Sequence, residues 1–446
     1  MNNCMKDFQK SLISIALPVT LQSLLQSSFS VIDQVMIGQM GSESIAGIGL
    51  GGKFASVYSV VLGAVAAVAG IMIAQYIGQK NEKSINKGFY VNLMFASIIA
   101  AIFMAICLIF TPAIMSVYTK DTATSILAEK YLRIYSLSFI PMAVSTMAAV
   151  LLRCLEAAVF PLVASFVSVL VNTALNYLLI FGKFGFPKLG VEGAAIASVA
   201  SQITACLLTL GFMIYILNKT KLKLKPDILL DKKEWKQYFG IFAPILACEF
   251  MWIFGENVYA AIYGNIGTDA CAAMTMTGPI QGLMIGALSG LSQAAGIMIG
   301  KALGNNEYDT AYSDSKKLIK YGLAGSIILS VLLVVFGKYY VLIYNVDTSV
   351  QTLCYQLLII FAIVSPIKVQ NMIIGGGIIR SGGKTKYVMW IDIIGTWVFG
   401  VPLGLLSALV LKLPITYVYF ILSQEELIRL IISLVIFRKK IWMDNI

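Results

Sequence analysis

"AGIMIAQYIGQKN", residues 69–81, returns as "AGIMIGKALGNNE" at residues 295–307, with Ala, Gly, Ile, Met, Ile and a later Gly in register at an offset of 226. The same offset lays "IGQMGSESIAG" (37–47) over "YGNIGTDACAA" (263–273). It matches Gly38 with Gly264, Gly41 with Gly267, Ser42 with Thr268, Glu43 with Asp269 and Ala46 with Ala272, and it also lays Pro18 over Pro244. Three features at one offset mark an internal duplication, so the nature of either half decides the fold.

Composition says what that nature is. The 446 residues are 59% hydrophobic and only 12% charged, with a mean hydropathy of +0.84. Soluble domains run at about 45–50% apolar and about 25% charged. A chain this apolar cannot cover itself with polar surface in water. A bilayer span needs about 20 mostly apolar residues, and that criterion yields twelve: 11–37, 46–77, 89–112, 130–152, 160–182, 190–217, 238–263, 271–302, 319–342, 352–377, 386–411 and 413–437. Six fall in each half, which makes an all-α integral membrane protein of two pseudo-symmetric six-helix bundles.

Placing both termini in the cytoplasm puts 23 lysines and arginines in cytoplasmic segments against 6 outside, as the positive-inside rule requires. The expected localisation is a multi-pass protein of the cytoplasmic membrane, surrounded by lipid. The longest basic stretch, "NKTKLKLKPDILLDKKEWKQYF" (218–239), joins the halves. We therefore expect an N-terminal lobe over 1–217, a cytoplasmic linker over 218–240 and a C-terminal lobe over 241–446. One cytoplasmic connection between six-helix halves gives them the same topology, the parallel type of repeat that supports alternating access.

Other classes fit poorly. The polar start "MNNCMKDFQK" and the long first apolar run do not make a cleavable signal, so the first helix is expected to stay. Seven cysteines are scattered singly. The net charge of +11 is spread over short loops rather than gathered on a nucleic-acid-binding domain. There is no histidine, and no serine sits in a nucleophile elbow; an enzyme, such as a membrane-embedded transferase, is not expected. Gly47, Gly49 and Gly52 formally satisfy G-x-G-x-x-G, but without a preceding strand or a following acid. Close helix packing by small residues explains them better.

Ionisable residues inside spans are the functional candidates, because each is costly in lipid. Asp33 stands alone on the first span, in "SFSVIDQVMIGQMG" (28–41). Asn172 and Asn176 on the fifth are four apart and share a face, and Ser198 and Thr204 on the sixth offer hydroxyls. In the second half Glu249 and Glu256 lie seven apart in "CEFMWIFGENVY", and Asp392 lies in "MWIDIIGTW". These acids are candidate proton carriers or counter-charges for a cationic ligand, with Lys53 and Lys368 as possible structural partners. Trp252, Tyr259, Met251, Met274, Met276, Trp390 and Trp397 are near them in sequence and would suit amphipathic cations if they line a cavity.

The sequence resembles the multidrug and toxic compound extrusion (MATE) antiporters over essentially its whole length. The likeness is carried by "VIDQVMIGQMG" after Pro18, by the repeated "AGIMI" segments, by "LNYLLIFGKFGFPKLGVEGAAIAS", by "EFMWIFGENVYAAIYGNIGTDACAAM" and by "IIRSGGKTKYVMWIDIIGTWVFGVPLGLL". The resemblance implies two bundles around a V-shaped cavity that export organic cations in exchange for Na+ or H+, as a monomer, with no cofactor beyond the coupling ion. It implies a cation site at Asp33, Asn172, Asn176 and Ser198, with Na+ the leading candidate for Asp33, Asn172 and Asn176. Glu249 and Asp392 match acidic positions of the family, and together with Glu256, which the spacing alone singles out, they are the candidate substrate or proton site. "LLRCLEAAVFP" departs from the family's glycine-rich turn and puts Glu156 there. A lipid-linked oligosaccharide flippase of the same superfamily is the alternative; it would favour an arginine-lined cavity.

Overall fold

Residues 2–444 apart from 227, 229 and 345 are described by the computed structural model; the side chains of 2–7, 29–35 and 42 lie outside that description. The regular structure of the described residues is all helix. Its helices are α1 (Asn2–Gly38), α2 (Ser42–Gly78), α3 (Glu82–Tyr118), α4 (Thr122–Tyr135), which runs on through a short 3-10 turn into α5 (Phe139–Cys154), α6 (Val159–Phe181) and α7 (Val191–Thr220). The second half has α8 (Lys232–Ile266), α9 (Thr268–Gly304), α10 (Tyr308–Val341), α11 (Thr348–Asn371), α12 (Thr385–Ile393), α13 (Val401–Leu405), α14 (Ile415–Leu422) and α15 (Gln424–Arg438). Counting continuous runs as one, these make twelve rods among the described residues.

Ten of the rods are long and apolar enough to cross a membrane. Large apolar side chains stand bare along them, among them Val331, Val335 and Phe336 on α10 at 57%, 56% and 59% exposure. Only hydrocarbon can cover such faces, and helices satisfy their own backbone hydrogen bonds there. Starts are set by caps where the chain leaves the apolar layer. Asn81 accepts from the Ser84 N–H at the start of α3, and Asp121 accepts from the Thr124 N–H at the start of α4, each satisfying an otherwise orphaned donor.

The duplication is visible as structure: Pro18 and Pro244 both lie inside the first helix of their half. The second half carries something the first lacks among the described residues, three π-helical stretches at Met372–Ile379, Ile394–Gly400 and Leu406–Val410. Pro141 and Arg153 are twelve residues apart, whereas Pro366 and Arg380 are fourteen apart. The wider π turn takes up the extra length, and such bulges tend to gather at functional sites.

By internal packing the chain divides into two compact units. One comprises Leu21–Ile77 and Asn81–Lys232; the other comprises Met1–Thr20, Gly78–Lys80 and Lys233–Ile446. This differs from a division at 1–217 by grouping residues 1–20 and 78–80 with the second half. The reason is close helix approach. A Cβ added at Gly290 of α9 would come 2.1 Å from the Ala16 carbonyl oxygen of α1, and Thr20 donates to the Ala287 carbonyl at 3.1 Å. In the N-terminal unit the glycines of "GIGLGG" divide: Gly47 and Gly51 are pressed against Leu127 and Tyr131, while Gly49 and Gly52 face open space. Close packing therefore accounts for Gly47 and Gly51 but not for Gly49 and Gly52; all four lie inside α2 and not in a phosphate loop.

Candidate functional site

The N-terminal unit encloses a polar cavity of about 630 Å³ between α1, α4–α5, α6 and α7. Asn172 and Ser198 line it. Asn176, one turn along α6 and 2% exposed, donates to the Asn172 side-chain oxygen at 3.1 Å, and the Asn172 amide donates to the Ser198 hydroxyl at 3.5 Å. Three of the four residues expected at a cation site therefore meet. The fourth, Asp33, falls within α1, but its side chain lies outside the described residues. Thr204 is turned to its own helix, bonding the Ala200 carbonyl at 2.9 Å.

A residue not singled out from sequence, Arg153 at the end of α5, also lines this cavity. It donates to the Gln22 amide oxygen on α1 at 2.9 Å, and Gln22 in turn donates to the Ser165 hydroxyl on α6 at 2.6 Å. Three helices are tied by that relay.

The C-terminal unit has a smaller cavity of about 230 Å³ with charged walls. Asp392, on α12 just before a π-helical stretch, lies 3.6 Å from Arg429 of α15, which is also 3.6 Å from Glu425 and bonds the Thr396 hydroxyl. Glu425 accepts from the Tyr259 hydroxyl of α8. Glu426 is held by Asn371, which donates both to its carboxylate and to its backbone carbonyl at 2.8 Å, and by Lys368 at 3.8 Å. Glu249 lies 3.5 Å from Arg380, which also donates to the Cys248 sulfur, and Cys248 contacts Asp392. These ion pairs are longer than the roughly 2.7–2.9 Å of a charge-assisted hydrogen bond; they are loose contacts in one connected network.

The expected acids thus separate. Asp392 and Glu256 line the cavity, and Glu249 turns to Arg380. Glu256 is exposed and makes no ion pair among the described residues. Lysine pairing came out differently from expectation: Lys368 serves Glu426, Lys53 makes none of the described ion pairs, and the partners of Glu249 and Asp392 are arginines. Of the aromatic and methionine candidates Trp252 lines the cavity; the Trp397 indole bonds the Met251 carbonyl, Met276 is buried in the core, and Trp390 points outward at 56% exposure. The hub residues Glu425, Glu426 and Arg429 were not expected. Their signal was present in "QEELIRL" (424–430), three charges within an apolar span, which the cost of intramembrane charge flags.

Comparison with known proteins agrees with this architecture. The MatE family model matches residues 18–178 and 244–406, one block per repeat. The chain is 23% identical to the uncharacterized transporter YisQ of Bacillus subtilis, over 98% of this chain and 95% of the relative. It is 26% identical to the probable multidrug resistance protein NorM of Bacillus anthracis, over 90% and 88%. Its fold superposes on an aspartate-to-asparagine variant of the Vibrio cholerae MATE transporter VcmN with a TM-score of 0.88 at 17% identity, covering 99% of this chain and 98% of that one. With both repeats matched and the fold shared throughout, the chain belongs to the MatE family of multi-pass membrane transporters and is not an enzyme.

Proposed function

We propose that this chain is a cation-coupled multidrug antiporter that exports amphipathic organic cations by alternating access, with both termini in the cytoplasm. Its family consists of ion-coupled antiporters. The observation that carries the reading is the charge of the C-terminal cavity. Among the described residues lining it, the carboxylates Glu256, Asp392, Glu425 and Glu426 face the cations Lys368, Arg380 and Arg429. One negative charge is in excess, and Glu256 supplies it beside the indole of Trp252. A carboxylate next to a flat aromatic face suits a monovalent organic cation.

The loose pairing of Asp392 explains how binding and release can be linked. A cation entering near Asp392 competes with Arg429 for the carboxylate, and Arg429 has Glu425 and Thr396 to turn to. A proton or Na+ reaching the same acids competes in the same way, so cargo and coupling ion exclude each other. In the N-terminal unit the chain of Asn176, Asn172 and Ser198 supports a second coupling site, completed by Asp33. Glu249, neutralised by Arg380, holds α8 to the end of the π-helical stretch.

The test is ethidium efflux from proteoliposomes by Glu256→Gln. The reading expects efflux to fall at least about tenfold, the loss of a charge-assisted contact. Wild-type efflux by that variant would overturn it.

A further inference from the structure

Away from both cavities, the end of the C-terminal unit where α10 begins and α15 finishes carries a cluster of rings and lysines. Tyr312 of α10 stacks on Phe437 of α15 with ring centroids 5.2 Å apart, and Phe437 stacks on Trp442, 5.8 Å away and nearly parallel at 10°. The Trp442 indole donates to the Phe437 carbonyl at 3.2 Å, and Trp442 is fully buried. Gly382 lies so close to the Trp442 carbonyl that a Cβ there would have no room. Packing therefore fixes the Tyr312 ring, which a surface tyrosine would not be.

Two ammonium groups converge on that ring. Lys316, one turn along α10 and on the same face, has its Nζ 4.2 Å from the Tyr312 centroid, and Lys440 has its Nζ at 4.6 Å. Both lysines are exposed, and neither makes an ion pair among the described residues. The acids nearby do not neutralise them. Asp314 pairs with Lys317 at 2.7 Å, Asp444 pairs with Lys384 at 2.6 Å, and Asp309 pairs with neither of the two. Lys440 follows the cap of α15 with φ +56, at a position where glycine is the usual choice. Backbone preference does not explain a lysine there; its ammonium does. Nor does the duplication call for the cluster, since Tyr312 and Lys316 fall on Asn86 and Tyr90 at the offset of 226.

We propose that Lys316 and Lys440 bind the phosphate of an anionic phospholipid headgroup. A cation over an exposed ring gains little, and two like charges gathered at one ring repel. A single phosphate reaching both removes that repulsion. Position favours a lipid over a soluble anion. Tyr321 and Leu323 of α10 and Val435 of α15 are bare apolar or aromatic side chains at 40%, 43% and 47% exposure, so the lysines stand where the hydrocarbon-covered faces end. With Lys317, Lys320, Arg438 and Lys439 beside them in sequence, they form the basic cluster at the end of a span that attracts anionic lipid. A choline or ethanolamine headgroup would bring its own cation against the two ammonium groups; a glycerol headgroup brings none.

The test measures binding of dioctanoyl phosphatidylglycerol and dioctanoyl phosphatidylcholine to the purified full chain in detergent, by native mass spectrometry. Wild type is expected to bind phosphatidylglycerol the more tightly. Lys316→Gln combined with Lys440→Gln is expected to weaken that binding about twenty-fivefold, at about fivefold for each lysine beside an anionic headgroup, and to leave phosphatidylcholine unchanged. Lys386→Gln combined with Lys439→Gln removes the same formal charge away from the ring and is expected to keep the preference. All four lysines are exposed, so both variants are expected to fold. Equal affinity for the two lipids in wild type, or an equal loss in the two double variants, would overturn the proposal, the second by showing a diffuse field in place of a site. Displacement of bound phosphatidylglycerol by glycerol 3-phosphate at matched concentration would overturn the lipid assignment in favour of a soluble phosphate. Ethidium efflux is a separate measurement, and its failure would leave this result standing.

Discussion

Arg429→Met tests whether the charge network of the C-terminal unit is a real energetic unit. The Arg429 side chain is 11% exposed and lies within 3.6 Å of both Asp392 and Glu425, themselves 25% and 8% exposed. Removing the cation strands two carboxylates in a poorly hydrated wall. Breaking a buried pair by deleting one partner costs about 3–5 kcal/mol. For a unit of this size, at roughly 2–4 °C per kcal/mol, melting should fall by roughly 10 °C. The assay is built into the chain: Cys107, Cys154, Cys248 and Cys354 are buried free thiols, so a thiol-reactive fluorophore in detergent reports unfolding. Combining Arg429→Met with Asp392→Asn and Glu425→Gln should recover most of the loss. A single variant that melts with wild type, or a triple variant no better than the single, would refute the reasoning.

Two further substitutions probe backbone geometry. Glu156, three residues after Arg153, has φ +60, while Gly383, three after Arg380, has φ +69. Glu156→Gly should therefore raise stability by about 1 kcal/mol, read as a higher melting temperature; a lower one would mean that the glutamate's own contacts outweigh the strain. A Cβ at Gly78 would come 2.1 Å from the Lys301 carbonyl oxygen, whereas Gly63 in the same helix has nothing within 4 Å. Gly78→Ala should cost about 1–3 kcal/mol by overpacking, and Gly63→Ala should not. Equal melting of the two would contradict the close approach of α2 and α9.

The spans were legible because hydrocarbon imposes a single rule, that an apolar stretch of sufficient length becomes a helix. Their ends were less so. The apolar window gives the ninth span as 319–342, but α10 begins at Tyr308, since the polar turns before the window continue the same helix. The last span reads as one apolar run and is divided at Ser423 between α14 and α15. Intramembrane acids were legible for the same energetic reason that makes them rare. Their partners were not: Arg380 falls in the basic connection after the tenth span and Arg429 lies inside the twelfth, and each meets an acid brought in by tertiary packing. Nor does hydropathy tell which unit a helix joins. α1 is continuous through Thr20 and Leu21, and its allegiance to α9 depends on Gly290 offering a bare backbone.

The central claim, that cation movement drives export through these carboxylates, is tested most directly in proteoliposomes loaded with ethidium. Na+ and pH gradients are imposed one at a time, for wild type, Glu256→Gln and Asp33→Asn. The account predicts that one of the two gradients alone drives wild-type efflux and that both variants lose the driven component. Efflux that ignores both gradients, or that proceeds unchanged in both variants, would contradict it.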